Sequence, residues 1–219
     1  MIILCTHNNG GVGKTTLAIH AAGALINSKF LFRVLLVDCD DQADFWQFHT
    51  GDNPEKDKNV IIEDTTTLIW NKTRTSIKKL VTPSEYDHAV LDIDSPLQNT
   101  VQVILGNNPN LILIPVNKSQ KIKSLRNLPR ILEVISQIKS KFGFLPKVVI
   151  IPLGISKDDV LKVVDSIEPS SKPKDYQIAD EMPDVQEKMQ QAIYDDRKYI
   201  WDYEGYEYIY DYFCNILEI

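Results

Sequence analysis

The chain has 219 residues, 43% of them apolar and 25% charged, which excludes a disordered or low-complexity chain and allows one ordinary buried core. Its formal net charge of −6 argues against a uniformly basic nucleic-acid binder. No apolar run approaches bilayer length and no basic leader precedes the first one, so a cytoplasmic chain with no membrane segment is expected.

Met1 to Leu4 is an apolar run, Asn8 to Thr16 reads NNGGVGKTT, and Leu17 to Ile26 carries an apolar helical period. Strand, glycine loop and helix in that order form the setting of a phosphate-binding loop. Glycines at 10, 11 and 13 let the backbone curl with its N–H groups inward, toward an anion at a helix N-terminus. Lys14 is placed to reach β- and γ-phosphates, and the Thr15 hydroxyl to ligate Mg²⁺. Asn8 stands where the general spacing G-x-x-x-x-G-K-[ST] has its first glycine.

Phe32 to Val37 reads as a buried parallel strand that ends in Asp38-Cys39-Asp40-Asp41-Gln42. Carboxylates at that end of a strand are well placed for chemistry, because open α/β sheets keep ligands there. Gly51 to Asn59 is a turn-rich loop, and Val60 to Val81 has no clean period, giving either a short helix or a strand pair. His88 to Ile93 and Leu111 to Val116 are further buried strands, with a crossover helix around Val101 to Leu105. Pro129 is expected to open a helix whose inner stripe is Ile131, Val134, Ile135 and Ile138. Lys147 to Pro152 is another strand, Ser156 caps a helix bearing Val160, Leu161, Val164 and Ile167, and Glu168 to Asp175 is a loop. Tyr176 to Met182 is a last strand, and two helices follow. Strands alternating with helices, without repeats, predict one domain over 1–219: a doubly wound, mostly parallel sheet with helices on both faces.

Charge is unevenly spread. Lys118, Lys121, Lys123, Arg126, Arg130, Lys139, Lys141 and Lys147 face only Glu133 between 117 and 147, whereas acids dominate from Asp180 onward. That asymmetry points to a polyanion-facing patch and a separate acidic end. The aromatic tail has helical spacing (Tyr206, Ile209, Tyr210, Phe213, Ile216, Leu217) among acids, so it reads as core packing or a partner contact, not a membrane anchor. Cys5, Cys39 and Cys214 form no C-x-x-C pair and read as reduced, buried thiols. His7, His20, His49 and His88 have no metal-ligand spacing.

Gly10-Gly11-Val12-Gly13-Lys14-Thr15-Thr16 resembles, residue for residue, the deviant Walker A loop K-G-G-x-G-K-[ST]-[ST] of the ParA/MinD family of dimerising ATPases. The resemblance implies a P-loop NTPase-like fold, weak ATP hydrolysis, ATP/ADP with Mg²⁺, and a homodimer formed with ATP. The family's signature lysine would stand at Asn9, so a neutral side chain replaces a charge that crosses to the partner's nucleotide. Asp38-Cys39-Asp40-Asp41-Gln42 resembles the family's second motif D-x-D-x-Q, implying that Asp38, then Asp40, positions the attacking water, with Asp38 also near the metal. Asp94-Ser95-Pro96 resembles the D-[ST]-P that closes the Walker B strand and makes Asp94 the magnesium-side acid. Counting from Tyr86-Asp87 selects Asp92 instead, so both stay open, with Asp94 preferred because it lies nearer the strand end. Lys157, then Lys118, are candidates for the charge missing at Asn9, and Lys147, at the opposite strand end, is a poorer one.

Loss of the signature lysine resembles the carboxysome-distributing McdA subgroup. By that likeness Lys121, Lys123, Arg126 and Arg130 would bind non-specific, nucleoid DNA, and an adaptor of the McdB or ParB kind would stimulate hydrolysis. A plasmid or chromosome partition ATPase is the alternative. A MinD-like membrane ATPase would need a basic amphipathic C-terminal helix in place of the acidic tail, and a small-molecule ATP-dependent ligase of similar fold would need a substrate pocket.

Overall fold

The computed structural model describes residues 1–55, 59–63, 65–143 and 146–219, and within them every side chain except those of 59–63 and 139–141. Part of the expected 51–59 loop, at 56–58, and the Lys139 and Lys141 side chains therefore lie outside the described residues.

The strands are β1 (Ile2–Cys5), β2 (Val34–Cys39), β3 (Asn59–Glu63), β4 (Thr66–Trp70), β5 (His88–Ile93), β6 (Leu111–Asn117), β7 (Lys147–Leu153) and β8 (Tyr176–Ile178). They form one sheet in the order β3-β4-β2-β5-β1-β6-β7-β8. Every pairing is parallel except that of the edge strand β3, which runs antiparallel to β4. The helices are α1 (Lys14–Ile26), α2 (Asp44–Thr50), α3 (Leu97–Asn107), α4 (Lys121–Phe142), α5 (Lys157–Asp165), α6 (Gln186–Gln190) and α7 (Tyr208–Leu217).

Side chains alternate across the sheet with the strand period of two. Ile3, Cys5, Leu36, Val90, Leu113 and Ile151 join the core that contains α1 and α7. Leu4, Leu35, Leu91, Ile112 and Ile150 join the opposite core, with α3, α4 and α5. Both faces are thus covered, which explains why the strands read as continuous apolar runs. Helix α1 is buried nearly all round from Leu17 to Leu25, because the sheet takes one side while α2 and α7 pack on others. The aromatic tail packs into that core: buried Phe213 stacks on buried His20 with ring centroids 5.5 Å apart. Cys5 and Cys39 are buried, and all three thiols are free. Among the described residues no helix is long and apolar enough to cross a membrane.

Two elements differ from their sequence expectation, and a third takes one of its two alternatives. The ambiguous stretch from Val60 holds most of β3 and all of β4, the strand pair rather than the short helix, and Thr66 and Thr67 suit a strand because their branched side chains pack on a pleated surface. Pro129 does not open a helix; it sits inside α4, which begins at Lys121 after the Asn117 side chain accepts the Gln120 N–H at 3.0 Å. The last strand closes at Ile178, and Met182 makes only an isolated bridge to Leu153. Ser156 caps α5 as its position predicts, its hydroxyl accepting the Asp159 N–H at 3.2 Å.

Candidate functional site

The loop between β1 and α1 opens at the carboxyl ends of the strands. Gly11 (φ 71°) and Gly13 (φ 100°) take the left-handed backbone that the curl requires. Gly13 is required on a second count: a Cβ there would lie 3.1 Å from Leu153 Cδ1. The Asn117 side-chain amide donates to the Gly11 carbonyl at 3.0 Å, tying the loop to the end of β6. Gly13 gives α1 no side-chain cap, so the first N–H groups of a 13-residue helix point outward unanswered by any cap. Such an end carries partial positive charge and accepts an anion.

Lys14 opens α1 and is only 6% exposed. Its ammonium donates to the Asn9 carbonyl and to Ser95 Oγ, each at 3.0 Å. Both partners are neutral. Burial lowers the Lys14 pKa, while the Asp92, Asp40 and Asp94 carboxylates oppose that shift.

Four carboxylates stand near this cation in two pairs. Asp38 and Asp92 are opposite each other in the β2–β5 register, and both are fully buried. Asp38 accepts the N–H of Asp40 at 2.9 Å and of Trp46 at 2.8 Å. Burial still pushes its pKa up to about 7 against those two bonds. Neither oxygen of Asp92 has a hydrogen-bond partner among the described residues, although the Thr15 hydroxyl approaches closely enough to favour its charged form. Burial, then the Asp38 charge, holds Asp92 well above the ordinary carboxylate range. A buried carboxylate without a hydrogen-bond partner is costly, and such a group suits a cation or a donor brought by a ligand.

Asp40 and Asp94 line the cleft itself. Asp94 is fully engaged: Arg74 donates to it from Nη2 at 2.8 Å and Nε at 3.2 Å, and Asn99 Nδ2 reaches both oxygens at 3.0 and 2.9 Å. The cleft measures about 610 Å³, ample for a small-molecule ligand. Gly10, Gly11, Gly13, Lys14, Thr15 and Thr16 form its floor, while Met182, Val185, Met189 and Tyr194 supply an opposite, largely apolar wall. Val12 is buried beneath the loop.

The remaining sequence candidates lie apart from the cleft lining. Lys157 pairs with Asp180 at 3.0 Å, Lys118 with Asp184 at 2.6 Å, and Lys147 with Glu218 at 2.5 Å. Asn9 turns its side chain away from the cleft, donating to the Lys123 carbonyl of α4 at 2.8 Å. On α4, Lys121 pairs with Asp159 at 2.6 Å. Lys123, Arg126 and Arg130 are exposed, at the i, i+3, i+7 spacing of one helix face. No carboxylate among the described residues pairs with these three.

Arg74, Asn117 and the Met182–Tyr194 wall were not foreseen from the sequence, and no local motif marks them. Ser95 lies in the quoted Asp94-Ser95-Pro96 motif, but its bond to Lys14 was not foreseen. Asn117, at the carboxyl end of β6, carried the one available signal, since that end of any strand faces the cleft.

The family model described as the CobQ/CobB/MinD/ParA nucleotide binding domain matches residues 3–192. No curated protein matches the sequence significantly. Among solved structures, the ATP complex of a substituted McdA from Cyanothece superposes with a TM-score of 0.74 at 18% identity, over 99% of this chain and 95% of that one. A ParA family ATPase from Chlorobium tepidum gives 0.68 at 17% identity, over 98% of each chain. A plasmid partition protein of Borrelia burgdorferi bound to AMPPNP gives 0.63 at 18% identity, over 99% and 98%. These likenesses concern the fold, while the family match covers most of the sequence. The chain belongs to the CobQ/CobB/MinD/ParA family of nucleotide-binding domains.

Proposed function

We propose that the chain is a dimerising ATPase whose nucleotide state governs its hold on non-specific DNA and so positions a cargo. The observation that carries the nucleotide half is Asp92: a buried carboxylate with two unanswered oxygens, beside Thr15 and behind an uncapped glycine cradle. Residues with that deficit suit a hydrated magnesium ion arriving with a triphosphate. Thr15 and Asp92 would hold the ion, which supplies charge neutralisation on the β- and γ-phosphates. Asp92 takes this role in preference to Asp94, whose oxygens Arg74 and Asn99 already satisfy.

The loop N–H groups and the end of α1 bind phosphate oxygens, and Lys14 exchanges its two neutral acceptors for them. Asp40, on the cleft surface, orients the attacking water and takes its proton. Asp38 acts from behind by accepting the Asp40 N–H, which sets the turn that presents Asp40. Lys157 is the candidate for the charge absent at Asn9. Its partner Asp180 is 94% exposed, so that pair is weak and easily exchanged.

The DNA half rests on the free cations Lys123, Arg126 and Arg130, with Lys121 beside them. No base-reading motif accompanies them, so contact is with phosphates and without sequence preference. An adaptor of the McdB or ParB kind stimulates hydrolysis, and the protein is cytoplasmic and nucleoid-associated. The McdA likeness supports carboxysomes as cargo; a partition ATPase moving a plasmid or chromosome is the second reading, supported by the ParA and plasmid-partition neighbours. DNA retention measured against nucleotide state and salt tests the cycle. Tighter, salt-sensitive binding with ATP than with ADP is expected, and equal binding with both would refute it.

A further inference from the structure

Asn9 is the point where this chain departs from its family's loop, and both ends of its side-chain amide are engaged within the subunit. Its Nδ2 donates to the Lys123 carbonyl at 2.8 Å. Asn127 Nδ2 donates to that same carbonyl at 2.9 Å and to Asn9 Oδ1 at 3.2 Å. One residue along, the Ser124 carbonyl meets His7 Nε2 at 3.3 Å, while His7 Nδ1 accepts the Asn9 N–H at 3.2 Å. His7 therefore carries its proton on Nε2 and bridges the loop to the helix. The first turns of α4 are thus fastened to the glycine loop by two side chains on successive carbonyls. Pro129 weakens the other attachment of these turns: lacking an N–H, it leaves the Leu125 carbonyl without its helical donor. At the loop end, the Asn9 carbonyl is held by the Lys14 ammonium at 3.0 Å. A ligand that draws the ammonium away releases that carbonyl, and the Asn9 peptide is then free to shift against α4.

We propose that Asn9 and Asn127 are positioning residues that couple the state of Lys14 to the turn of α4 bearing Lys123 and Arg126, so that nucleotide occupancy is read out at the basic face. The coupling runs within one subunit and needs no charge from a partner at position 9. It rests on the nucleotide-binding reading above and is independent of what the basic face contacts. Linkage requires the effect to be reciprocal: an occupied basic face must alter nucleotide affinity by the same factor.

The test is amide hydrogen exchange over residues 121–128, with Mg·ATP and with Mg·ADP, in the wild type and in Asn127→Ala. Alanine keeps helix propensity and residue 127 lies outside the cleft lining, so the variant should fold, and both proteins are compared at saturating nucleotide. In the wild type, protection of 121–128 is expected to differ at least about fivefold between the two nucleotides, the lower end of ordinary coupling strengths. In Asn127→Ala the difference should collapse to within about twofold, and Asn127→Gln, which keeps the amide donor, should restore part of it. An unchanged difference in Asn127→Ala, or none in the wild type, overturns the proposal. DNA affinity measured in parallel separates the two readings: an exchange response that depends on Asn127 without any DNA binding keeps the coupling and discards the DNA interface.

Discussion

Asp38 and Asp92 face each other across β2 and β5 on the α1 side of the sheet, and only Asp38 has its oxygens answered by backbone N–H groups. Two backbone N–H groups hold Asp38 at its turn, whereas neither oxygen of Asp92 has a hydrogen-bond partner among the described residues, and the difference makes several outcomes measurable.

Both acids titrate above their unfolded values, Asp38 at about 7. The native state therefore keeps protons that the unfolded chain has released. The contribution of these two acids to the stability of the nucleotide-free protein is fully present below about pH 4, and that of Asp38 is lost as pH rises through about 7. Urea midpoints at pH 6 and pH 8.5 should show that decline. Asp92→Asn should flatten it and, at pH 8.5, stabilise the protein by about 1–3 kcal/mol, the range for a buried unsatisfied group. An unchanged slope in the variant would show that Asp92 is not the source.

Magnesium dependence should discriminate the two acids of the β5 end. Asp92→Asn is expected to weaken Mg·ATP binding roughly 10–100-fold, as loss of a conserved metal-side partner does. Asp94→Asn should change it less than about threefold, because Arg74 and Asn99 already claim that carboxylate. Calorimetric titrations with and without magnesium read this directly, and the reverse order would restore Asp94 to the metal.

Asp40 and Asp38 should separate chemistry from stability. Asp40→Ala is expected to retain ATP binding and lose about 10²–10⁴-fold in single-turnover hydrolysis. Asp38→Ala removes the acceptor of two backbone N–H groups, so its first effect should be a lowered thermal midpoint. If Asp40→Ala hydrolyses ATP normally, the water-positioning role assigned to it fails.

Charge removal on α4 should appear in the salt dependence. Alanine at Lys123, Arg126 or Arg130 should each lower the slope of log K against log salt by about one, whatever the DNA sequence. Lys121→Ala should do less, since Asp159 competes for its ammonium. Slopes indistinguishable from wild type would remove the helix as the DNA face.

The glycine loop, the buried strands and the Ser156 cap were legible because each rests on local chemistry: glycine torsions, a continuous apolar run, a hydroxyl at a helix start. Strands β3 and β4 were legible only as one of two alternatives, because NVIIE and TTLIW together carry neither a helical nor an alternating signature. The start of α4 was misplaced at Pro129 because proline favours a first helical turn, whereas here the Asn117 side chain begins the helix earlier. Spacing leaves both Asp92 and Asp94 open with Asp94 preferred, and it does not announce Arg74, 20 residues away, which donates to Asp94. The apolar wall from Met182 to Tyr194 met the cleft through tertiary packing that no local pattern announces.

On the proposed reading, Lys14 and the glycine cradle hold a magnesium-bound triphosphate, and equilibrium binding of Mg·ATP to the wild type and to Lys14→Ala measures that hold. Saturable binding by the wild type is expected to weaken at least about 100-fold in the variant, the cost of losing a charge-assisted phosphate contact. Equal affinity in the two proteins, or no binding by the wild type, would contradict it.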